Sequence, residues 1–425
     1  MQITMTPRLI PALIAIAFSG SASAAGFQLQ NQTGSGNGNA FAGAAATAED
    51  AGTVFFNPAG MTKLAPGHNI SLSGTLLSRE IDYRDTGSSA LVPSLGTTDG
   101  GNAGGLSLLP ALYWVYSVTP SLSVGLGISP TFGNRTEYDF DFVGRNAGYF
   151  AEIKQININP SVAWKVNEQF SIGGGINFSH NETHFRQGLA LGALAATTNH
   201  LDIKGDDWAV GYNLGVMFQV TPATRLGLTY RSELKFNLEG DQTVSISPVN
   251  AATVPQDIKT VLKTPANVSL AVSHKVNEKL ELLADYTWTN WSVVNVIQLQ
   301  NQSSGANLSA LSYNFQDTWR VGIGANYQLD QAWKLRFGVA YDKSPVKSAA
   351  DRTMTLPDSD RTWLSVGAKY QFSPKASVDF GYSHIFFSDA RTERAVLSGP
   401  VAIQTIRGEW NNSVDILSAQ LNYNF

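Results

Sequence analysis

The 425-residue chain contains no cysteine. That excludes a disulfide scaffold, a thiolate zinc site and an iron–sulfur centre. Charge is scarce as well: Asp, Glu, Lys and Arg make up 15% of the residues, against roughly 25% in a typical soluble domain. The net charge of -4 offers no basic footprint for nucleic acid. Beyond the N-terminus there is no uncharged apolar run of about 18 residues, which excludes a bundle of transmembrane helices. G-x-S-x-G, H-E-x-x-H, P-loop and dinucleotide fingerprints are all missing. No catalytic residue, cofactor or metal ligand is therefore assigned. His180 and His184 lie four apart on one strand face and are read as a polar rim pair rather than metal ligands.

What is present begins with an address. Met1 to Phe18 carries one charge, Arg8, ahead of the apolar run Leu9–Phe18, and Ala22-Ser23-Ala24 has the small-x-small pattern of a cleavage site. Residues 1–24 are expected to be a signal peptide, so the mature chain is exported.

From about Gly67 to the end, apolar and polar residues alternate at period two. Such a strand has two different faces. In the last strand Leu417, Ala419, Leu421, Tyr423 and Phe425 oppose Ser418, Gln420, Asn422 and Asn424. Tight breaks recur at Thr119–Ser121, Asn167–Gln169, Thr221–Ala223, Asn277–Lys279, Asp330–Ala332 and Ser373–Lys375, each between two alternating runs, as hairpins require. Longer Gly- and Ser-rich segments lie between them. Six short turns join twelve strands; one strand before (Ile70–Arg79) and one after (Ser413–Phe425) bring the total to fourteen.

A soluble sandwich and a transmembrane barrel both use such strands. Three features favour the barrel. The strands are long enough for a tilted crossing. Their polar faces are rich in Gly, Ser, Asn and Gln with few charges. Trp and Tyr recur near strand ends, among them Trp114, Trp208, Trp291, Trp319, Trp333 and Trp363, as an interfacial girdle requires. Because lipid cannot satisfy a free backbone edge, the sheet must close. The expected fold is all-β: a 14-stranded antiparallel barrel over residues 67–425, in the outer membrane of a Gram-negative cell. Residues 25–66, dense in Gly, Ala and Asn and carrying Val54-Phe55-Phe56, show no sustained alternation and are expected to form a plug in the lumen.

Ala25-Gly26-Phe27-Gln28-Leu29, Ala48-Glu49-Asp50-Ala51-Gly52 and Asn57-Pro58-Ala59 resemble the N-terminal hatch of the long-chain fatty-acid transporter (FadL) family. Thr229–Glu233, Leu356–Arg361, Lys375–Asp379 and Asn422–Phe425 extend the likeness over the mature chain. The resemblance implies a plugged outer-membrane barrel that imports hydrophobic molecules. Capture would occur at an outer groove, transfer to a lumenal pocket, and exit sideways beside a kinked third strand. Asn57, Pro58 and Ala59 are expected to hold the hatch near strand three, Leu122–Thr131, which Gly125, Gly127 and Pro130 shorten and interrupt.

The residues themselves suit a hydrophobic ligand. The loop Gly188–Ala196 is apolar, with Leu189, Leu191 and Leu194. In Ala251–Thr264, Val254, Ile258, Val261 and Leu262 are spaced for one face of a short helix. Together these loops would form a docking groove. Leu109, Tyr113 and Val115 would line an apolar lumenal pocket, which Phe27 is expected by resemblance to approach. Arg186 falls where fatty-acid members carry a base for the carboxylate. The second basic position is Leu311 here, so neutral or aromatic hydrophobes are expected to bind at least as well as fatty acids. The expected partners are a hydrophobic small molecule and outer-membrane lipid, with no nucleic acid, and the chain is read as a monomer. A general polar porin and an outer-membrane barrel hydrolase are the alternatives.

Overall fold

The computed structural model describes residues 26–91, 96–189, 199–246, 251–252, 255–398 and 400–425. The signal-peptide assignment lies outside them. Fourteen strands run in chain order around a closed antiparallel barrel. They are β1 His68–Asp85, β2 Gly105–Ser117, β3 Leu122–Glu137, β4 Phe150–Lys165, β5 Phe170–Gly188 and β6 His200–Gln219. Next come β7, Thr224–Arg231 and Leu234–Ile246; β8, Gln256–Thr264 and Asn267–Lys275; β9, Leu280–Thr289 and Val296–Asn301; and β10, Asn307–Ser312 and Thr318–Gln328. The last four are β11 Trp333–Asp342, β12 Arg361–Ser373, β13, Ala376–Phe387 and Ala390–Ser398, and β14 Val401–Asn424. β1 pairs with β14 from Asn69↔Asn424 to Asp85↔Gly408, which closes the wall. The six short turns lie at one end, with the start of β1 beside the C-terminus: His68 N–H donates to Phe425 O at 2.8 Å.

The alternation places apolar side chains outward. Leu72, Leu112, Leu214, Ile323, Val339 and Leu421 are exposed, while Ser71, Ser73, Thr75, Asn157, Asn177 and Asn213 are buried. A soluble sandwich would show the reverse. The inward amides satisfy one another: Asn157 Nδ2 donates to Asn177 Oδ1 at 2.9 Å and Asn159 Nδ2 to Asn213 Oδ1 at 2.9 Å. Two tryptophans assigned to the girdle are not part of it. Trp291 and Trp363 are fully buried.

Residues 26–64 lie inside the barrel as three one-turn helices, α1 Gly34–Asn37, α2 Ala44–Thr47 and α3 Thr53–Phe56, followed by a 3-10 turn, Pro58–Lys63. Helices of four residues are not stable alone, and their last carbonyls need donors. Arginines of the wall supply them. Arg225 Nη1 reaches Thr47 O at 2.9 Å and Ala46 O at 3.3 Å, and Arg231 Nη2 reaches Phe55 O at 2.9 Å; Arg320 bonds Ala40 O in the turn between α1 and α2. Between α2 and α3, Glu49 pairs with Arg336 at 2.6 Å and Lys334 at 2.5 Å, and Arg336 also holds Asp379 at 2.8 Å. Burial alone would raise the Glu49 carboxyl; Arg336, Lys334 and Lys369 hold it well below the usual range.

The helix expected within Ala251–Thr264 is a strand. Gln256–Thr264 pairs with Leu234–Gln242. Ile258 and Leu262 are four apart, which both periods place on one face; only Val261 discriminates. It is 43% exposed while Ile258 and Leu262 are 2% and 3%, as period two requires. Val254 lies outside the described residues.

Candidate functional site

The wall is interrupted between β2 and β3. These strands pair only from Ser117↔Ser123 to Leu112↔Ile128. The next outward positions in that register are Pro110 and Pro130, and neither has an N–H to give. Above them β2 pairs with β1 alone and β3 with β4 alone, with a register shift between Pro130 and Phe132. The two sides rejoin where Glu137 N–H donates to Ala103 O at 3.1 Å. A window thus lies between residues 104–111 and 129–136. β3 itself is not short: at Leu122–Glu137 it has 16 residues, and it is the ladder to β2 that stops.

The N-terminal segment meets the free edge of β3 at this window. Leu29 N–H donates to Thr131 O at 2.9 Å and Gly133 N–H to Phe27 O at 2.8 Å. Gln32 braces the same place, donating to Pro130 O at 2.7 Å and accepting from the Tyr113 hydroxyl at 2.6 Å. The start of the segment is also tied to the long-loop end of the barrel, since Gly26 N–H donates to Asp358 Oδ2 at 3.1 Å. Burial pushes the Asp358 carboxyl up despite Arg361 beside it.

The residues expected to share one lumenal pocket separate into three clusters. Phe27 packs edge-on against Trp291 at 5.0 Å and Phe132 at 5.8 Å, with Val294, Phe315 and Leu356 around them. Leu109 packs with Leu29, Phe41, Leu77, Trp363 and Ile385. Tyr113 and Val115 pack with Val54 and Met61. The period placed Leu109, Tyr113 and Val115 inward correctly, but period says nothing about which residue of the inner segment meets each one.

Asn57, Pro58 and Ala59 dock on β5 and β6 rather than beside β3. Asn57 Nδ2 donates to Ala45 O at 2.7 Å and Val216 O at 3.0 Å, and its Oδ1 accepts from Ala59 N–H at 3.1 Å. Backbone approach is that close because two wall residues are glycine. A Cβ on Gly215 would sit 2.1 Å from Asn57 Oδ1, and one on Gly173 would sit 2.5 Å from Ala59 N. Gly125 and Gly127 of β3 instead admit Val54 and Met61.

Arg186 stands at the rim of β5, but its charge is engaged. Nε donates to Asp202 Oδ2 at 2.8 Å, and the guanidinium lies 5.0 Å from the Phe150 ring centre. His184 shares the same carboxylate at 3.0 Å, and His180 bonds Asp206 at 3.2 Å. Of the apolar loop, Leu189 is half-buried at the end of the described strand; Leu191 and Leu194 lie outside the described residues. Ile258 and Leu262 line the inner wall, Leu262 beside Leu234, Phe236 and Leu238.

Sequence reasoning missed Arg79 and Arg231. Arg231 lies beneath α3, with its guanidinium 4.5 Å from the Phe55 ring centre. Arg79 is 3% exposed and lines a small cavity of about 40 Å³ with Glu80, Thr136, Leu356, Asp358 and Phe387. The alternation of β1 contained the signal: Thr75, Leu77, Arg79 and Ile81 share the inward face.

The model of a family described as outer membrane protein transport protein (OMPP1/FadL/TodX) matches residues 15–425. An outer membrane protein of Neisseria meningitidis is 30% identical, over 89% of this chain and 90% of that protein. The long-chain fatty acid transport protein of Escherichia coli is 29% identical, over 80% of this chain and 82% of that protein. The crystal structure of a Pseudomonas aeruginosa FadL homologue superposes with a TM-score of 0.86 at 25% identity, covering 94% of this chain and 100% of that one. A match that takes in both the inner segment and all fourteen strands leaves no part of the barrel to another family: this chain belongs to the OMPP1/FadL/TodX family of outer-membrane transport proteins.

Proposed function

We propose that the protein carries hydrophobic molecules passively across the outer membrane and releases them sideways through the window between β2 and β3. The observation that carries this is the ladder stopping at Leu112↔Ile128 while β2 and β3 both continue past it. Beside the window Leu106, Leu108 and Leu112 are exposed on the lipid side, so a greasy molecule leaving there meets no polar barrier. Residues 25–66 act as the hatch, with Phe27–Leu29 on the edge of β3 controlling passage. Capture begins at the apolar segment that starts at Leu189.

Chain burial supplies the affinity. Each CH₂ transferred from water contributes roughly 0.8 kcal/mol, so ten carbons gain on the order of 8 kcal/mol before the costs of ordering them. Arg186 is not the source of selectivity for acids, because Asp202 already neutralises it. The test is competitive binding of a long-chain fatty acid against its methyl ester, in wild type and Arg186→Ala. Both ligands are expected to bind, with the same preference in the two proteins. Binding of neither overturns the transport proposal; an acid preference lost in Arg186→Ala restores Arg186 as the carboxylate ligand.

A further inference from the structure

From Pro130 upward, the edge of β3 that β2 leaves unpaired has backbone groups taken up in other ways. Pro130 O accepts from Gln32, Thr131 O accepts from Leu29 N–H, and Gly133 N–H donates to Phe27 O, all in the inner segment. At the top Glu137 N–H donates to Ala103 O, where the two sides rejoin. Between these lies Arg135 O, and its donor comes from two strands away: Arg79 Nη1, on β1, reaches it at 2.5 Å. β2 runs between the two, and its residue paired with Arg79 is Gly105, which has no side chain to stand in the way. The guanidinium thus ties β1 to β3 behind the upper half of the window. The tie can be undone without stranding the charge. Arg79 lines a cavity of about 40 Å³ whose lining includes the carboxylates Glu80 and Asp358. Asp358 takes Arg361 on Oδ1 and both Gly26 and Ser344 on Oδ2, while a carboxylate has about four acceptor sites. A guanidinium that lets go of Arg135 O therefore has an acceptor on the wall of the same cavity.

We propose that Arg79 is a latch that selects hydrophobes by bulk: bonded to Arg135 O it holds the upper half of the window shut, and released it lets wider molecules leave. The lower half is closed separately, by residues 27–32 of the inner segment. Moving that segment alone frees β3 over residues 130–133, roughly 13 Å of strand. Releasing Arg79 as well extends the opening to residue 136, about 10 Å more. A linear chain leaves lengthwise through the shorter opening, whereas a fused-ring molecule needs the longer one. The inference rests on the sideways exit proposed above and adds to it the residue that sets the size of the exit.

The experiment measures initial uptake of dodecane and pyrene, offered together, by cells carrying equal amounts of the full chain as wild type, Arg79→Met, Arg79→Gln or Arg79→Lys. Met has no donor and Gln is too short to reach Arg135 O, while Lys keeps a donor on a stem of similar length. The pyrene-to-dodecane ratio is expected to rise at least threefold in Arg79→Met and Arg79→Gln and to stay at the wild-type value in Arg79→Lys. Gln keeps a polar group in the cavity, so the proposal stays testable should Arg79→Met fail to fold. A ratio that rises equally in Arg79→Lys marks general loosening of the wall and overturns the latch. An unchanged ratio in both Arg79→Met and Arg79→Gln, with dodecane still entering, overturns the latch and leaves the transport proposal standing. Wild-type cells that take up neither hydrophobe faster than cells lacking the protein overturn the transport proposal, and the latch with it.

Discussion

At the residue scale, the two arginines that matter most illustrate what a sequence can and cannot show. Arg186 was visible because of where it falls beside a family pattern; Asp202, which takes up its charge, comes from the neighbouring strand 16 residues away. Arg79 was missed although period two puts it on the inward face, and that its guanidinium meets Arg135 O rather than a carboxylate is something no local pattern encodes. Asn57 was recognised, but its dock on Val216 was not, because Gly173 and Gly215 serve there as space rather than as chemistry. Replacing Asn57 with Ala leaves Ala45 O, Val216 O and Ala59 N–H without that partner, a loss of roughly 1–3 kcal/mol borne by the hatch. Uptake is expected to fall several-fold while the barrel still runs as a heat-modifiable band; unchanged uptake at equal expression would remove Asn57 from the hatch anchor. Glu49 gives a pH signature. Its carboxyl lies well below its ordinary value of 4.5 in the folded protein. A lowered acid stabilises fully above the unfolded value, and that contribution is lost as pH falls from about 4.5 through the folded value. The hatch is therefore expected to stay protease-resistant at neutral and mildly acidic pH and to become cleavable only well below pH 4.5, before the barrel unfolds. Cleavage that begins near pH 6 would point to another group.

At the element scale, alternation made the strands legible and hairpin turns made their order legible. Both signals are local. The helix wrongly expected at Ala251–Thr264 shows the weak point: a four-residue spacing fits both periods, and a single residue, Val261, decided between them. Hatch helices are illegible for a different reason. Gly34–Asn37 and Ala44–Thr47 are too short to form alone, and wall side chains hold their ends: Ser383 Oγ donates to Asn37 O, and Arg225 donates to Ala46 O and Thr47 O. The same dependence gives a prediction. A fourteen-stranded barrel is wider than its own side chains can fill, so removing residues 25–66 should leave a barrel that admits sugars in a liposome-swelling assay, where the full chain excludes them. A full chain that swells liposomes as fast as the truncated one would favour the polar porin.

At the scale of the whole molecule, an inverted polarity unites the parts. Apolar residues face lipid, amides and ion pairs face much of the lumen, and the inner segment fills that lumen through both polar contacts and apolar clusters. The proposed exit uses the place where the ladder is already broken, the window flanked by Pro110 and Pro130, with the inner segment seated on its edge. Because the chain has no native cysteine, the window can be closed reversibly. Ala111→Cys with Ser129→Cys places two thiols opposite each other, one step beyond the last paired residues. Uptake of a labelled long-chain hydrophobe by cells expressing this variant is expected to be lost when the pair is oxidised and restored on reduction, with each single-cysteine protein active throughout. Equal uptake with the cross-link formed and with it reduced would contradict lateral exit between β2 and β3.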